Sequence, residues 1–199
     1  YGIYALYNIF GDTLDEEEKK LYRDIELPLS VVLFDMEKVG VWVDGNILNE
    51  FSLKYSTELK GLTERIYQLA GEKFNINSPV QLGKILFEKL KIGDGGTQKS
   101  KVKKNYSTTA EILEKYAEDY EIVRLLLRYR QIQKLNSTYV EGFKPLIAEG
   151  KVHTTYNQMN TATGRLSSAN PNLQNIPVRN EEGKELRKIF VAGPGNGRC

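Results

Sequence analysis

Residues 157–179, Asn-Gln-Met-Asn-Thr-Ala-Thr-Gly-Arg-Leu-Ser-Ser-Ala-Asn-Pro-Asn-Leu-Gln-Asn-Ile-Pro-Val-Arg, pack amides, hydroxyls and two arginines into a stretch with hardly any apolar content. Donors of these types suit the N3 and O2 acceptors of the minor groove, which every base pair presents in similar positions. A surface built from them would grip any correctly paired duplex, whatever its sequence. Arg130, Lys134 and Ser137 are spaced 4 and 3 apart, so they share a helix face distinct from the apolar stripe, with Arg124 and Arg128 one turn earlier. No acid lies between Arg124 and Val140, so no i,i+4 partner within the helix neutralises this ridge, and a ridge ending at Ser137-Thr138 suits successive phosphates. From Lys89 to Asn105 the chain carries Lys89, Lys91, Lys99, Lys101, Lys103 and Lys104 against one acid, Asp94. Lysines on such a loop attract phosphate as point charges without reading bases. Taken singly, the ridge and the loop are equally well described as solvated charge.

Other chemistries are excluded or unsupported. The chain has 28 basic and 26 acidic residues and a net charge of +2, so a nucleic-acid surface must come from uneven distribution rather than from global charge. Cys199 is the one cysteine and His153 the one histidine, which excludes a disulfide framework and a cysteine zinc site, suits a reducing compartment and leaves little for soft-metal binding. His153 reads as a packed or hydrogen-bonded residue, and Cys199 supports no redox role. Apolar runs such as Val31-Val32-Leu33-Phe34 fall far short of the roughly 20 residues that span a bilayer, and the start, Tyr1-Gly2-Ile3, has no basic n-region. A soluble, cytoplasmic chain is expected. It opens without methionine and stops just after an apolar stretch, so a piece of something larger is expected too.

These 199 residues allow one large or two small domains, and no internal repeat stands out. Residues 12–26 form a helix-prone acidic stretch, with Asp12, Asp15, Glu16, Glu17, Glu18, Asp24 and Glu26, that reads as a solvated face. A helix from Ser30 to Lys38 ends at Gly40, and Val41-Trp42-Val43 reads as a short strand. After Asp44, a candidate N-cap, apolar residues at Leu48, Phe51, Tyr55, Leu59, Leu62, Ile66 and Leu69 make one stripe on one long helix, stopped by Gly71. A second long helix is predicted from Asp119 to Tyr139 with the stripe Leu125, Tyr129, Ile132, Leu135 and Tyr139, and the two would pair antiparallel. Between them, Ser78-Pro79-Val80-Gln81 signals a capped helix running to about Lys91, and Thr108-Thr109-Ala110-Glu111 a capping box opening a helix through Tyr116. Lys151 to Gln158 reads as a strand, Met159 to Arg179 as an ordered loop, and Glu181 to Lys188 as a short helix. Helices first and strands later make the class α+β, mainly helical.

The segments Thr-Ala-Thr-Gly-Arg-Leu-Ser-Ser at 161–168 and Asn-Pro-Asn-Leu-Gln-Asn-Ile-Pro-Val-Arg at 170–179 resemble the signature of the family A DNA polymerases of bacteria. The likeness extends back through Lys134-Leu135-Asn136-Ser137-Thr138-Tyr139 and Phe74-Asn75-Ile76-Asn77-Ser78 to Glu26-Leu27-Pro28-Leu29. It runs forward to Arg187-Lys188-Ile189-Phe190-Val191-Ala192, and the loop from Lys91 to Asn105 is its least similar part.

The resemblance implies a right-hand polymerase in which 1–43 are the end of a 3′–5′ exonuclease-like domain and its connection, 44–148 the thumb with its long antiparallel helices, and 149–199 the first strand and loop of the palm. It implies that Arg165 donates to the minor-groove edge at the primer terminus. Asn172, Gln174 and Asn175 would then contact the adjoining duplex and template, supported by Thr161, Ser167 and Arg179. Arg130, Lys134 and Ser137 would hold the primer-side backbone, with Lys101, Lys103 and Lys104 as additional phosphate contacts. The implied activity is DNA-directed DNA synthesis in replication and repair, from deoxynucleoside triphosphates and Mg²⁺ on a primer–template duplex, by a monomer at the bacterial nucleoid. The family's metal-binding aspartates and its nucleotide-gripping fingers helix do not occur before Cys199, and Asp12 to Glu18 fall outside the implied palm. This chain alone is therefore expected to bind duplex weakly and polymerise nothing, with no catalytic or metal-binding residue of its own. A stand-alone helical nucleic-acid-binding module would account for the loop and ridge equally well, but it would not need the segment from Thr161 to Arg179.

Overall fold

A computed structural model describes residues 2–93, 106–178 and 181–193. Lys101, Lys103, Lys104, Arg179 and Cys199, named above, lie outside the described residues. The chain divides into two compact units, one of residues 1–44 together with 146–199, the other of residues 45–145.

In the first unit, α1 (Gly2–Thr13) is followed by α2 (Glu16–Leu21), whose start is fixed by a reciprocal capping box between Asp15 and Glu18. The helical run continues through a π-turn at Tyr22–Glu26 into α3 (Leu27–Val39), carrying Pro28 inside it. Proline has no N–H for the residue four back, and the widened turn, with the Leu27 N–H bonded to the Tyr22 carbonyl, accommodates that loss without breaking the helix. Helix α3 ends at Gly40, whose φ of 69° favours glycine. Strand β1 (Val41–Trp42) pairs antiparallel with β3 (Lys151–Val152), which pairs in turn with β2 (Ile147–Ala148). Glu149 and Gly150, both at positive φ, close the tight β2–β3 turn, as a two-residue hairpin of this twist requires. Val43 bridges to Phe190, and the Asp44 N–H donates to the Ile189 carbonyl at 2.8 Å, so the segment after the short helix Glu181–Leu186 lies along the continuation of β1. Leu33, Val43, Val152, Leu186 and Ile189 are buried. A second, two-stranded sheet joins β4 (Thr155–Asn157) to β5 (Ser167–Ala169).

The second unit is built on α4 (Gly45–Ala70) and α7 (Glu121–Leu135), with α5 (Pro79–Gly83) and α6 (Ala110–Glu114) between them in the chain. Ion pairs fix the antiparallel register of the long helices: Arg65 pairs with Glu121 at 2.9 Å and Glu58 with Arg128 at 2.7 Å, so rising numbers on one helix meet falling numbers on the other. The α4 stripe faces inward as expected, with Leu48, Phe51, Tyr55 and Ile66 buried. Along α7 and its continuation the expected Tyr129, Ile132, Leu135 and Tyr139 are buried, but Leu126 rather than Leu125 opens the stripe, with Ile122 and Val123 also buried. Helix α7 starts at Glu121 and passes at Asn136 into a π-turn ending at Val140, so the expected helix to Tyr139 is not uniform.

Ser78 caps α5 by accepting from the Gln81 N–H, but Gln81 turns its own side chain to the Asn75 N–H at 2.8 Å instead of back to Ser78. The capping box expected at Thr108–Glu111 does not form. Helix α6 starts after Thr109 and stops at Glu114, and Thr108 is buried and bonded to Arg130. Leu82, Leu86, Phe87, Ile92 and Leu113 complete the core of this unit. Among the described residues no helix is long and apolar enough to cross a membrane.

The placement of the α7 stripe can be checked by truncation. Leu126→Ala should lower the stability of this unit by about 2–5 kcal/mol, and Leu125→Ala by clearly less, in urea unfolding. Equal losses would mean that the stripe is misplaced. At the other end of the unit, the Glu141 carboxylate accepts from Lys144 at 2.8 Å and from the Ser52 hydroxyl at 2.6 Å, and both bonds, Lys144 first, hold its carboxyl below the ordinary value. A depressed carboxyl stabilises the fold above its unfolded value and loses that contribution as pH falls through the folded value. Acid unfolding of Glu141→Gln should therefore show a weaker pH dependence below about pH 4, and an unaltered profile would remove Glu141 from the acid response.

Candidate nucleic-acid interface

Strands β4 and β5 form a hairpin in register, Thr155 opposite Ala169 and Asn157 opposite Ser167, so residues 158–166 make the loop at its tip. Its β4 side is anchored to the preceding helices. Glu37 on α3 accepts the Tyr156 N–H at 2.6 Å, and its carbonyl meets His153 Nδ1 at 2.8 Å. Gln158 donates through Nε2 to both the carbonyl and the carboxylate of Glu26. In the loop, the Thr161 hydroxyl donates to the Arg165 carbonyl at 2.5 Å, and Gly164 takes a φ of 72°. The Arg165 side chain is exposed, whereas Thr161 and Ser167 are half-buried.

The turn after β5 is held from beneath. Thr154 and Ser168 are buried, at 5% and 4% exposure, and their hydroxyls are 3.2 Å apart. Thr154 Oγ1 donates toward the Pro171 carbonyl at 2.7 Å, with the Ala169 carbonyl at 3.0 Å, and Ser168 Oγ accepts the Leu173 N–H at 2.8 Å. Asn170 sits at a φ of 55° and its bond to Pro171 is cis. Asn172, Gln174 and Asn175 are exposed on this turn, and Asn172 Oδ1 accepts the Gln174 N–H at 3.0 Å. The structure thus brings Thr161, Arg165, Ser167, Asn172, Gln174 and Asn175 onto one hairpin and the turn that follows it.

The anchors of this hairpin are not evident in the sequence. Glu26, expected on a solvated acidic face, is bonded to Gln158. Glu37 and Thr154 carry no sequence signal of their own. Ser168 does carry one: of two adjacent serines in a strand, one must face inward.

The second unit places its cations differently from the sequence expectation. Arg130 is half-buried; Nη1 donates to the Thr108 carbonyl, Nη2 reaches the Thr108 hydroxyl at 3.3 Å, and burial pushes its guanidinium down from the ordinary value. Arg128 is paired with Glu58, and Arg124 donates to the carbonyls of Ala117 and Glu118 at 3.0 Å each. The ridge, with no acid between Arg124 and Val140, is therefore partly neutralised from α4, and Arg124, Lys134 and Ser137 are its exposed members. Arg124, Arg128, Arg130 and Lys134, with Glu114, line a groove of about 560 Å³ beside α6. Among the described residues no three carboxylate, imidazole or thiolate groups come together as metal ligands, so these residues do not fit the Mg²⁺ that the resemblance implies.

Compared with solved structures, the chain matches a polymerase domain. The POL domain of Pol1 from M. smegmatis, in complex with DNA primer-template and dNTP, aligns with a TM-score of 0.79 and 36% identity over 88% of this chain and 31% of that one. The family model for DNA polymerase family A matches residues 45–198, and the chain belongs to that family. Among curated relatives, DNA polymerase I of Lactococcus lactis subsp. lactis is 51% identical over 94% of this chain, and DNA polymerase I of Geobacillus stearothermophilus is 47% identical over 96%. The chain spans 21% and 22% of their respective lengths.

The different burial of Arg130 and Lys134 is testable. Lys134→Ala should reduce the slope of log duplex affinity against log salt by about 0.9, the share of one phosphate. Arg130→Ala should change the slope less and lower the melting temperature more, since it leaves the buried Thr108 carbonyl unpaired. The reverse ranking would put Arg130 on the DNA and Lys134 off it.

Proposed function

We propose that this chain is the duplex-holding part of a bacterial DNA-directed DNA polymerase that extends a primer along a template in replication and repair. Residues 44–148 serve as the thumb. Residues 1–43 combine the end of an exonuclease-like domain with its connection, and 149–199 begin the palm. The observation that carries this reading is the exposed set Arg165, Asn172, Gln174 and Asn175, the last three on a turn held from beneath by the buried Thr154 and Ser168 hydroxyls. Donors held rigidly in this way suit the sequence-neutral acceptors of the minor groove. The family membership and the primer-template complex of the mycobacterial relative support it. Lys134 and Ser137 would contact the backbone, and Thr161 and Ser167, half-buried, would brace the hairpin. Nucleotidyl transfer, with its deoxynucleoside triphosphate and Mg²⁺, is assigned to parts of the polymerase other than the described residues. A non-catalytic clamp module leaves the polar hairpin without a purpose.

Arg165 is the residue on which this function is tested. In the full-length polymerase, Arg165→Ala should lower incorporation roughly 10- to 150-fold while overall duplex affinity stays nearly intact, the equivalent of a charged hydrogen bond of about 1.5–3 kcal/mol. A primer ending in 3-deazaguanine removes the same acceptor from the other side, so the two changes together should cost little more than either alone. Multiplying effects would place Arg165 on a phosphate or elsewhere, and the minor-groove assignment would fall.

A further inference from the structure

The two buried hydroxyls beneath the turn do more than satisfy each other. We propose that Thr154 and Ser168 are positioning residues for duplex binding, fixing Asn172 so that its amide nitrogen is presented as a hydrogen-bond donor; this rests on the duplex-holding function proposed above.

The peptide unit before Asn172 contains the Pro171 carbonyl, and the unit after it contains the Leu173 N–H. Thr154 holds the first at 2.7 Å and Ser168 holds the second at 2.8 Å. Peptide units are planar, so pinning one polar group on each side of Asn172 restricts both of its backbone dihedrals and hence the direction of its Cα–Cβ bond. Asn172 Oδ1 then accepts the Gln174 N–H at 3.0 Å, which fixes which end of the amide turns away. The oxygen is engaged internally and Nδ2 remains to donate, matched to a groove that presents N3 and O2 acceptors. Both supporting side chains are nearly inaccessible, at 5% and 4% exposure, so neither touches DNA; they act through Asn172. Packing alone does not call for two hydroxyls here, since an alanine and a valine would fill the same volume and leave two backbone groups of the turn without partners.

The test separates the hydroxyl from the packing. In the full-length polymerase, Thr154→Val keeps the volume and removes the hydroxyl, and Thr154→Ser does the converse. Dissociation constants would be measured for a fluorescent primer–template hairpin, with amide hydrogen exchange at Leu173 followed in parallel. Thr154→Val and Ser168→Ala should each weaken binding about tenfold and speed exchange at Leu173, while Thr154→Ser stays within about twofold of the parent. A purely packing role predicts the opposite ranking of Val and Ser and would overturn the proposal.

Asn172→Ala should also weaken binding, and adding Thr154→Val to it should cost less than a further twofold, because the two act in series. Multiplication of the two losses, or no loss from Thr154→Val while Asn172→Ala binds poorly, would sink this inference and leave the duplex-holding function standing. If Asn172→Ala and Arg165→Ala both leave binding and incorporation unchanged, the duplex-holding function itself is wrong and this proposal goes with it. If thermal melting shows that Thr154→Val does not fold, Ser168→Ala taken through the same cycle with Asn172→Ala decides the matter by the same criteria.

Discussion

An exposed polar segment cannot hold its shape by burying apolar surface, so its conformation depends on hydrogen bonds made from below. That constraint governs the hairpin and turn from Thr155 to Asn175. Unpaired backbone groups beneath such a segment would cost about 1–3 kcal/mol each, and the fold meets them with the side chains of Thr154, Ser168 and Glu37, while Glu26 holds the Gln158 side-chain amide. The helical run of α2 and α3 has its place here. Its widened turn before Pro28 keeps one helical run going from Glu16 to Val39, and so carries Glu26 and Glu37 on a single continuous support.

The helical unit solves the opposite problem. Its stability comes from an apolar interface between α4 and α7, and its charges are arranged around that interface. Arg65 with Glu121 and Arg128 with Glu58 lie on the flanks of the helix pair, partly exposed, where each contributes little energy but specifies register. Arg130 goes further and ties α7 to Thr108, just beyond the lysine-rich segment. A guanidinium with several donors in a planar fork can bond a backbone carbonyl and a hydroxyl at once, which a lysine could not do with the same geometry. The number of cations in a sequence therefore overstates the number available to a polyanion.

Much of this is legible in the sequence, and the failures have physical causes. The α4 stripe from Leu48 to Leu69, the strand Val41–Trp42 and the cap at Ser78 are readable because each rests on local periodicity or local capping. Along α7 and its continuation the stripe is right at Tyr129, Ile132, Leu135 and Tyr139 and wrong only at its first member, because Leu125, Leu126 and Leu127 are consecutive and a run of leucines gives no phase. The capping box at Thr108 fails because a tertiary partner, Arg130, takes the hydroxyl that local rules assign to the helix start. The apparent isolation of the basic ridge fails for a related reason, since a search for i,i+4 acids is blind to Glu58 on another helix. For the candidate site, the exposed donors stand out by composition, but their supports do not. A buried threonine or serine looks like any other in a sequence, and its value lies in which distant backbone groups it meets.

The chemistry of the exposed set, with its internal bonds subtracted, points to indifference to sequence. The Thr161 hydroxyl donates to the Arg165 carbonyl, and the Asn172 amide oxygen accepts from the Gln174 N–H. What remains outward at Arg165 and Asn172 is donor, from a guanidinium and an amide nitrogen. Had Asn172 been free to flip, it could have offered an acceptor as readily as a donor, and it would then have favoured the one minor-groove donor, the guanine amino group, over the acceptors common to all pairs. Locking the amide removes that choice. In the proposed duplex-holding role, a surface of fixed donors would meet A·T, T·A, G·C and C·G pairs through the same acceptor positions, and it would lose a bond wherever a mispair displaces them. On that proposal, the rigidity imposed by Thr154 and Ser168 would let a sequence-blind surface remain sensitive to the geometry of a base pair.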